Sequence, residues 1–336
     1  MSTTTSSRRL TRRSTLLRSA AALALTLGLA ACGSAPSGGG EAAAGEDTIT
    51  LGFSQVGAES GWRSANTQSI QDSAAEAGIE LQFSDAQQKQ ENQIRAIRSF
   101  IQQRVDVIAF SPVVETGWDT VLQEAKRAQI PVVLTDRSVD SADTSLYATF
   151  LGSDFIEEGR KAGQWLVDQG DTGPVNVVEL QGTTGAAPAI DRKEGFAEVI
   201  AGAPNIQVVA SQTGDFTRSG GRQVMEAFLV SQPDIDVVYA HNDDMALGAI
   251  EAIEAAGRVP GQDIRIISVD AVKDGMQALA DGKINFIVEC NPLLGAQLMD
   301  LVEAVHAGEQ VPARVVTEET VFDQQAAIAA LPTRLY

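Results

Sequence analysis

The chain has 336 residues, 44% of them hydrophobic, and its 44 acids outnumber its 25 bases for a net charge of −19. That length suits two lobes or one large α/β domain with enough chain to bury a core without disulfide staples. So acidic a surface repels a phosphate backbone, which makes nucleic acid a poor partner.

Arg8, Arg9, Arg12, Arg13 and Arg18 form a basic start without acids. The run SAAALALTLGLAAC follows, too short to span a bilayer comfortably and ending in small residues, as an export signal does. Leu29-Ala30-Ala31-Cys32 resembles the bacterial lipobox, whose Cys receives a diacylglycerol; an ordinary secretory signal with a chance Cys is the alternative. TRRSTLL, residues 11–17, is loosely similar to a twin-arginine signal, although Thr15 stands where a large apolar residue is usual. Residues 1–32 are therefore read as a lipoprotein signal, and losing its five arginines leaves 20 bases against 44 acids, net −24. With Cys32 acylated, Cys290 is the one remaining cysteine and no internal disulfide forms. Residues 33–46, GSAPSGGGEAAAGE, cannot bury a core and read as a flexible tether, so folding begins near Asp47.

From there apolar runs alternate with amphipathic stretches. Strands are expected at 48–53, 80–84, 106–110, 131–135, 175–180, 206–210, 236–240, 264–269 and 285–289. Between them, Ile94, Ile97 and Ile101 share one helical face, and Gly159, Ala162, Trp165 and Leu166 share another. Several strands are apolar nearly throughout, as strands covered on both faces should be. Strand–helix alternation predicts parallel sheets with right-handed crossovers, and no repeat of 20–50 residues is evident. Ligands bind outside the carboxyl ends of such strands. There the sequence offers QVGAESGWR, DAQQKQ, SPVVETGW, DRSVD, QGTTGAAPAIDR, SQTGDFTR, HNDDM, DAVKDG and CNP, a hydrogen-bonding lining with few nucleophile–base pairs.

Catalytic patterns are missing: no G-x-S-x-G, H-E-x-x-H, Walker loop, G-x-G-x-x-G or C-x-x-C. Of the two histidines, His306 stands near a helix end marked by Gly308, opposite the dipole. His241 beside Asn242, Asp243 and Asp244 is thin for a metal, and neither a metal nor a cofactor is expected. One of the two acids reads as the cap or first turn of the next helix, whereas the Asn242 amide, at the strand's end, would offer donors and an acceptor to a cleft. Asp136-Arg137 is either a loop-fixing ion pair or a hydroxyl-reading pair in which the fork donates two parallel bonds. On spacing alone Arg192 reads as a surface helix residue, and Asp270 as the N-cap of the helix after it. Trp62 reads as a loop residue that buries against its lobe or offers a flat face to the C–H side of a sugar. Trp118 reads as core or helix start, and Trp165 as core.

LGFSQVGAESGWR, DAQQKQENQIRAIRSFIQQRVDVI, IPVVLTDRSVD, VVELQGTTGAAPAIDRKEGFAE, SQTGDFTRSGGRQVMEAF and VYAHNDDMALGAI closely resemble the periplasmic sugar-binding proteins of bacterial ABC importers, in the ribose-binding and repressor-core superfamily. The likeness runs from about residue 48 to 310 and is nearest to the galactofuranose-binding members. It implies two doubly wound lobes, residues 47–151 with 290–318 and residues 152–289 with 319–330. Three crossovers would join them, and they would close on one sugar by a hinge motion. It places ligand contacts on Glu59, Ser60, Gly61, Trp62, Arg63, Asp136, Arg137, Arg192, Asn242 and Asp270. Where ribose-binding relatives have Asn and Gln, this chain has Ser111 and the stretch Glu289-Cys290-Asn291. The resemblance implies a monomeric, non-enzymatic receptor, exported, lipid-anchored through Cys32 on the outer face of the cytoplasmic membrane or in the periplasm, and handing a monosaccharide to permease subunits. The alternatives are a sugar-responsive regulator, a signalling receptor and a secreted glycoside-processing enzyme. The last would need a cleft acid and base, but Arg137 should keep Asp136 ionised.

Overall fold

A computed structural model describes residues 48–336. The expected signal, the tether and Cys32 lie outside the described residues. The described chain makes two six-stranded sheets, each carrying helices on both faces.

The first sheet contains β1 (Thr50–Gln55), β2 (Glu80–Asp85), β3 (Val107–Phe110), β4 (Val132–Thr135), β5 (Thr149–Gly152) and β11 (Arg314–Val316). Their order is β2-β1-β3-β4-β5-β11, all parallel. The helices α1 (Gly61–Glu76), α2 (Gln90–Gln103), α3 (Asp119–Arg127) and α9 (Gly295–His306) pack on it. The second sheet contains β6 (Val175–Gln181), β7 (Ile206–Thr213), β8 (Val237–Ala240), β9 (Arg265–Asp270), β10 (Phe286–Glu289) and β12 (Val321–Phe322). Its order, β7-β6-β8-β9-β10-β12, repeats the first, with β12 alone antiparallel. Its helices are α4 (Phe155–Asp168), α5 (Ala187–Ile200), α6 (Arg218–Ser231), α7 (Asp243–Ala255), α8 (Lys273–Ala280) and α10 (Gln324–Ala330). The chain passes between sheets at residues 153–154, 290–294 and 317–320. Three strands were not foreseen. They are β5, with no sustained apolar run, and the short edge strands β11 and β12.

The central strands are buried on both faces, which explains their unbroken apolar sequences: VIAF in β3 and VVYA in β8 are buried at every residue. Each sheet therefore separates two apolar clusters, built around Phe110 and Leu51 in the first lobe and Met245 and Phe196 in the second. Full burial of such a side chain contributes about 1.5–3 kcal/mol. Helix α1 departs from this pattern. Its inward stripe begins with Trp62, Arg63 and Asn66 before becoming apolar at Ile70 and Ala74. Polar groups are thus buried at the end of the helix nearest the carboxyl ends of the strands. Trp165, expected in the core, is only half-buried and stacks on Phe286 at 5.3 Å.

Helices α4 and α5 touch backbone to backbone through two glycines. A Cβ on Gly159 would lie 2.3 Å from the Arg192 carbonyl oxygen, and one on Gly195 2.0 Å from that of Ile156. This close approach draws Arg192 inward; it is 3% exposed, not the surface residue its spacing suggested. Gly159→Ala should therefore separate the helices at a cost of about 1–3 kcal/mol. A melt of the purified variant should show a midpoint lower by about 2–10 °C, whereas an unchanged midpoint would mean the contact yields freely.

Candidate functional site

The two sheets turn their carboxyl ends toward a common cavity with about 290 Å³ of empty space, part of it open to solvent. Glu59, Ser60, Trp62, Arg63, Asp136 and Arg137 line it from the first lobe, Arg192, Asn242 and Asp270 from the second. Of the expected site residues among those described, Gly61 alone does not line the cavity. Pro188, Phe216 and Cys290 do, and were not foreseen.

Arg63 organises the first lobe's wall. Ser60 caps α1, its Oγ accepting the Arg63 N–H at 3.1 Å, which sets Trp62 and Arg63 in the first turn. The Arg63 guanidinium then bonds Asp136 Oδ2 at 2.7 Å, Glu59 Oε1 at 3.1 Å and Gln55 Oε1 at 3.2 Å. Ser111 Oγ donates to the same Asp136 oxygen at 2.8 Å. Burial opposes charge on Asp136, but Arg63, then Arg137 and Ser111, outweigh it and hold the carboxyl below its ordinary range. The near partner of Asp136 is thus Arg63, not the adjacent Arg137, whose Nε stands 3.7 Å away. Arg137 donates instead to the Val113 carbonyl at 3.2 Å. Burial, then the like charge of Arg63, lowers Arg137 to about 10, so it stays a cation at neutral pH.

In the second lobe Arg192 donates through Nε to Glu158 at 2.6 Å and through Nη1 to the His241 carbonyl, with Asp270 Oδ1 at 3.9 Å. Burial works against its charge, but Glu158 outweighs it and raises Arg192 above its ordinary range. Burial pushes Asp270 well above the usual carboxylate range, against the pull of Arg192. Asp270 is not a helix cap: Val272 precedes α8, and Asp270 adopts φ 122°. The cap of α7 is Asn242 rather than either aspartate. Its Oδ1 accepts the Met245 N–H at 3.0 Å, while Nδ2 donates to the Phe216 carbonyl at 3.1 Å. Asp243 and Asp244 occupy the first turn. His241 is buried against Glu179 at 3.1 Å and does not line the cavity.

Trp62 is a helix residue, not a loop residue. Its Nε1–H donates to the Cys290 carbonyl at 2.7 Å, and its ring packs with apolar residues of the second lobe. Where the three crossovers meet, Glu319 accepts from Thr317 at 2.9 Å, from the Asn291 N–H at 3.1 Å and from Ser153. Glu158, Cys290 and Glu319 bring ligand-type atoms within 4.8 Å of one another. With Arg192 on Glu158 and three donors on Glu319, this group is the hydrogen-bonded centre of the hinge.

The cavity is lined by three carboxyl groups and three guanidiniums, which offer acceptors and donors to a polar guest. Three residues that line it carry buried side-chain atoms without a hydrogen-bond partner: Glu59 Oε2, Arg137 Nε and Asp270 Oδ2. An unpaired buried polar group costs about 1–3 kcal/mol, more when charged. Hydroxyl groups, which donate and accept, would satisfy all three.

With this geometry in view, the chain's relatives are informative. Residues 51–310 match the periplasmic binding protein domain. The chain belongs to that family, a class of two-lobed extracytoplasmic binding proteins rather than enzymes. Within it, the galactofuranose-binding protein YtfQ of Escherichia coli K12 is 51% identical over 278 residues, 82% of this chain and 87% of the relative. A Mycobacterium smegmatis protein in complex with β-D-fucofuranose is 70% identical, with a TM-score of 0.84 over 85% of this chain and 95% of its own. The binding protein of the arabinose ABC transporter from Shewanella sp. ANA-3, bound to α- and β-L-arabinofuranose, is 52% identical, with a TM-score of 0.83 over 85% and 96% of the two chains. The chain is thus a type I sugar-binding periplasmic binding protein with galactofuranose-binding relatives.

Because Asn242 caps α7, Asn242→Ala should lower the stability of the sugar-free protein by about 0.5–2 kcal/mol. Asn242→Ser, which restores a capping oxygen but not the amide, should recover most of that loss. Chemical denaturation of both variants checks this; equal losses would place the stabilising role in the Phe216 contact instead.

Proposed function

We propose that this protein captures a neutral monosaccharide in furanose form, D-galactofuranose or a galacto-configured analogue, between its lobes and delivers it to an ABC importer. The observation that carries the reading is the set of three partnerless buried polar atoms, Glu59 Oε2, Arg137 Nε and Asp270 Oδ2, on residues that line one cavity. Hydroxyls spread around a sugar ring suit groups contributed from both lobes. The Trp62 face beside them suits the apolar C–H side. Ligands of the relatives point the same way, since β-D-fucofuranose and L-arabinofuranose are both five-membered rings.

An exocyclic diol recognised by Glu59 and Arg63 is one route to preferring galactofuranose. The geometry favours Glu59 in that part, because Arg63 is already bonded to Gln55, Glu59 and Asp136. Fucofuranose lacks one hydroxyl of that diol, so the ring and its own hydroxyls carry most of the recognition in this reading. Upstream, we propose that Cys32 is lipidated after export and that residues 33–46 tether the domain to the outer face of the membrane.

Calorimetric titration with D-galactose, D-fucose, L-arabinose and D-ribose, with NMR identification of the bound ring, tests the assignment. Furanose binding with the sugar recovered unchanged is expected. Pyranose binding, or ribose binding more tightly, would overturn the sugar assignment, and turnover would overturn the receptor reading. Arg137→Ala should weaken binding by roughly 30-fold to several thousand-fold, the effect of removing about 2–5 kcal/mol of charge-assisted contact. Arg137→Lys should also bind poorly, because an ammonium cannot reproduce the fork. In the native host, Cys32→Ala should move the protein from the membrane to the soluble fraction or block its processing; an unchanged membrane fraction would refute the anchor.

A further inference from the structure

Among the described residues, two direct hydrogen bonds join the lobes outside the crossovers. The Glu115 N–H donates to the Gly185 carbonyl at 2.9 Å, backbone to backbone. The Gly61 N–H donates to Asp244 Oδ2 at 2.7 Å, and this second bond depends on one side chain. Gly61 is the first residue of α1 in the first lobe, and Asp244 lies in the first turn of α7 in the second. A carboxylate there accepts an N–H that α1 cannot use internally and meets the positive end of its dipole.

Asp244 touches the outer groove beside Glu59 and Arg218, not the enclosed cavity. Its other oxygen is 3.5 Å from Arg218 Nε in its own lobe, and Arg218 also bonds Asp274 at 3.1 Å. Asp243, its neighbour, serves only its own lobe, accepting from Ser268 Oγ at 2.6 Å and the Val272 N–H at 2.8 Å.

We propose that Asp244 is the latch of the closed state: a positioning residue that sets affinity by holding α1 of the opposite lobe, without touching the sugar. The proposal rests on the sugar-binding reading above. Opening the cleft must break the Gly61–Asp244 bond, so its strength enters the closing equilibrium directly. Apparent affinity falls with the population of the closed form, while discrimination between sugars is set by the cavity and stays fixed. This separates a latch from a binding residue, whose loss changes both.

The bond can be cut from either side. Asp244→Ala removes the acceptor. Gly61→Pro removes the donor at the helix position where proline is tolerated, and Ser60 before it, at φ −145° and ψ 164°, already has the extended backbone proline requires. The proline ring would also press on the carboxylate, so removing the carboxylate should relieve it. Gly61→Pro/Asp244→Ala should therefore be no worse than Asp244→Ala alone.

The test measures affinity and dissociation rate for D-galactose, D-fucose and L-arabinose, and the radius of gyration by small-angle scattering with and without saturating sugar. Each single variant should bind D-galactose roughly 10- to 100-fold more weakly, the span of one hydrogen bond to a charged group. Dissociation should be faster, affinity ratios among the three sugars unchanged and the sugar-free melting midpoint near wild type. Asp244→Asn, which keeps a neutral acceptor, should fall between. Wild-type protein that binds sugar and compacts, with variants of wild-type affinity or fully additive losses, would overturn the latch. A changed sugar preference would make Asp244 a binding residue instead and overturn it too. Wild-type protein that binds none of the sugars would overturn the underlying functional reading.

Discussion

A buried guanidinium sets the terms for the first lobe. Arg63 is 2% exposed, and such a cation is tolerable only if its charge and its donors are met on the spot. Meeting them fixes Gln55 at the end of β1, Glu59 in the loop before α1 and Asp136 at the end of β4. Asp136 holds a left-handed backbone, φ 62°, to reach its place. Strain of this kind persists only where surrounding structure enforces it, and here the enforcing contact is the 2.7 Å ion pair. The loops around the cavity are therefore braced before any ligand arrives.

The second lobe solves the same problem with the same topology. Its first crossover helix, α5, contributes Arg192 as α1 contributes Arg63, and the end of β9 contributes Asp270 as the end of β4 contributes Asp136. The parallel is incomplete in a useful way. Arg63 grips Asp136 at 2.7 Å, while Arg192 bonds Glu158 at 2.6 Å and leaves Asp270 at 3.9 Å. The bonds to Asp136 all reach Oδ2, and Asp270 Oδ2 has no hydrogen-bond partner.

Much of this was legible in the sequence, and the limits have physical causes. Nine strands were legible, the central ones through apolar runs because a strand buried on both faces must be apolar, and the more exposed β2 and β7 through their place in the strand–helix alternation. β5, β11 and β12 did not, since short strands next to the crossovers need little apolar surface. The polar residues after each strand were readable as a site, because open parallel sheets present their carboxyl ends to ligands. Pairing was not readable. Asp136 seemed to belong to Arg137 by adjacency, but its partner lies 73 residues away in sequence, on helix α1. Arg192 looked exposed because its burial comes from two glycines that bring α4 and α5 together, a property of neither helix alone. Phe216 carried no signal as a wall residue. It reaches the cavity through a left-handed turn, φ 59°, and lies 5.2 Å under the Arg137 guanidinium of the other lobe.

On the proposed reading, charge inside the cavity also ties closure to capture. Bringing the lobes together strips water from three carboxyls and three guanidiniums, and three of their atoms then have no protein partner. Without a guest, that desolvation opposes closing. A neutral polyol reverses the sign by giving those atoms hydroxyl partners in a low-dielectric space, where each bond is stronger than in water. On that reading, the walls favour hydroxyl-rich guests by making the closed form costly for anything that cannot pair with them, and the closed form is the state a transporter could distinguish from the open one.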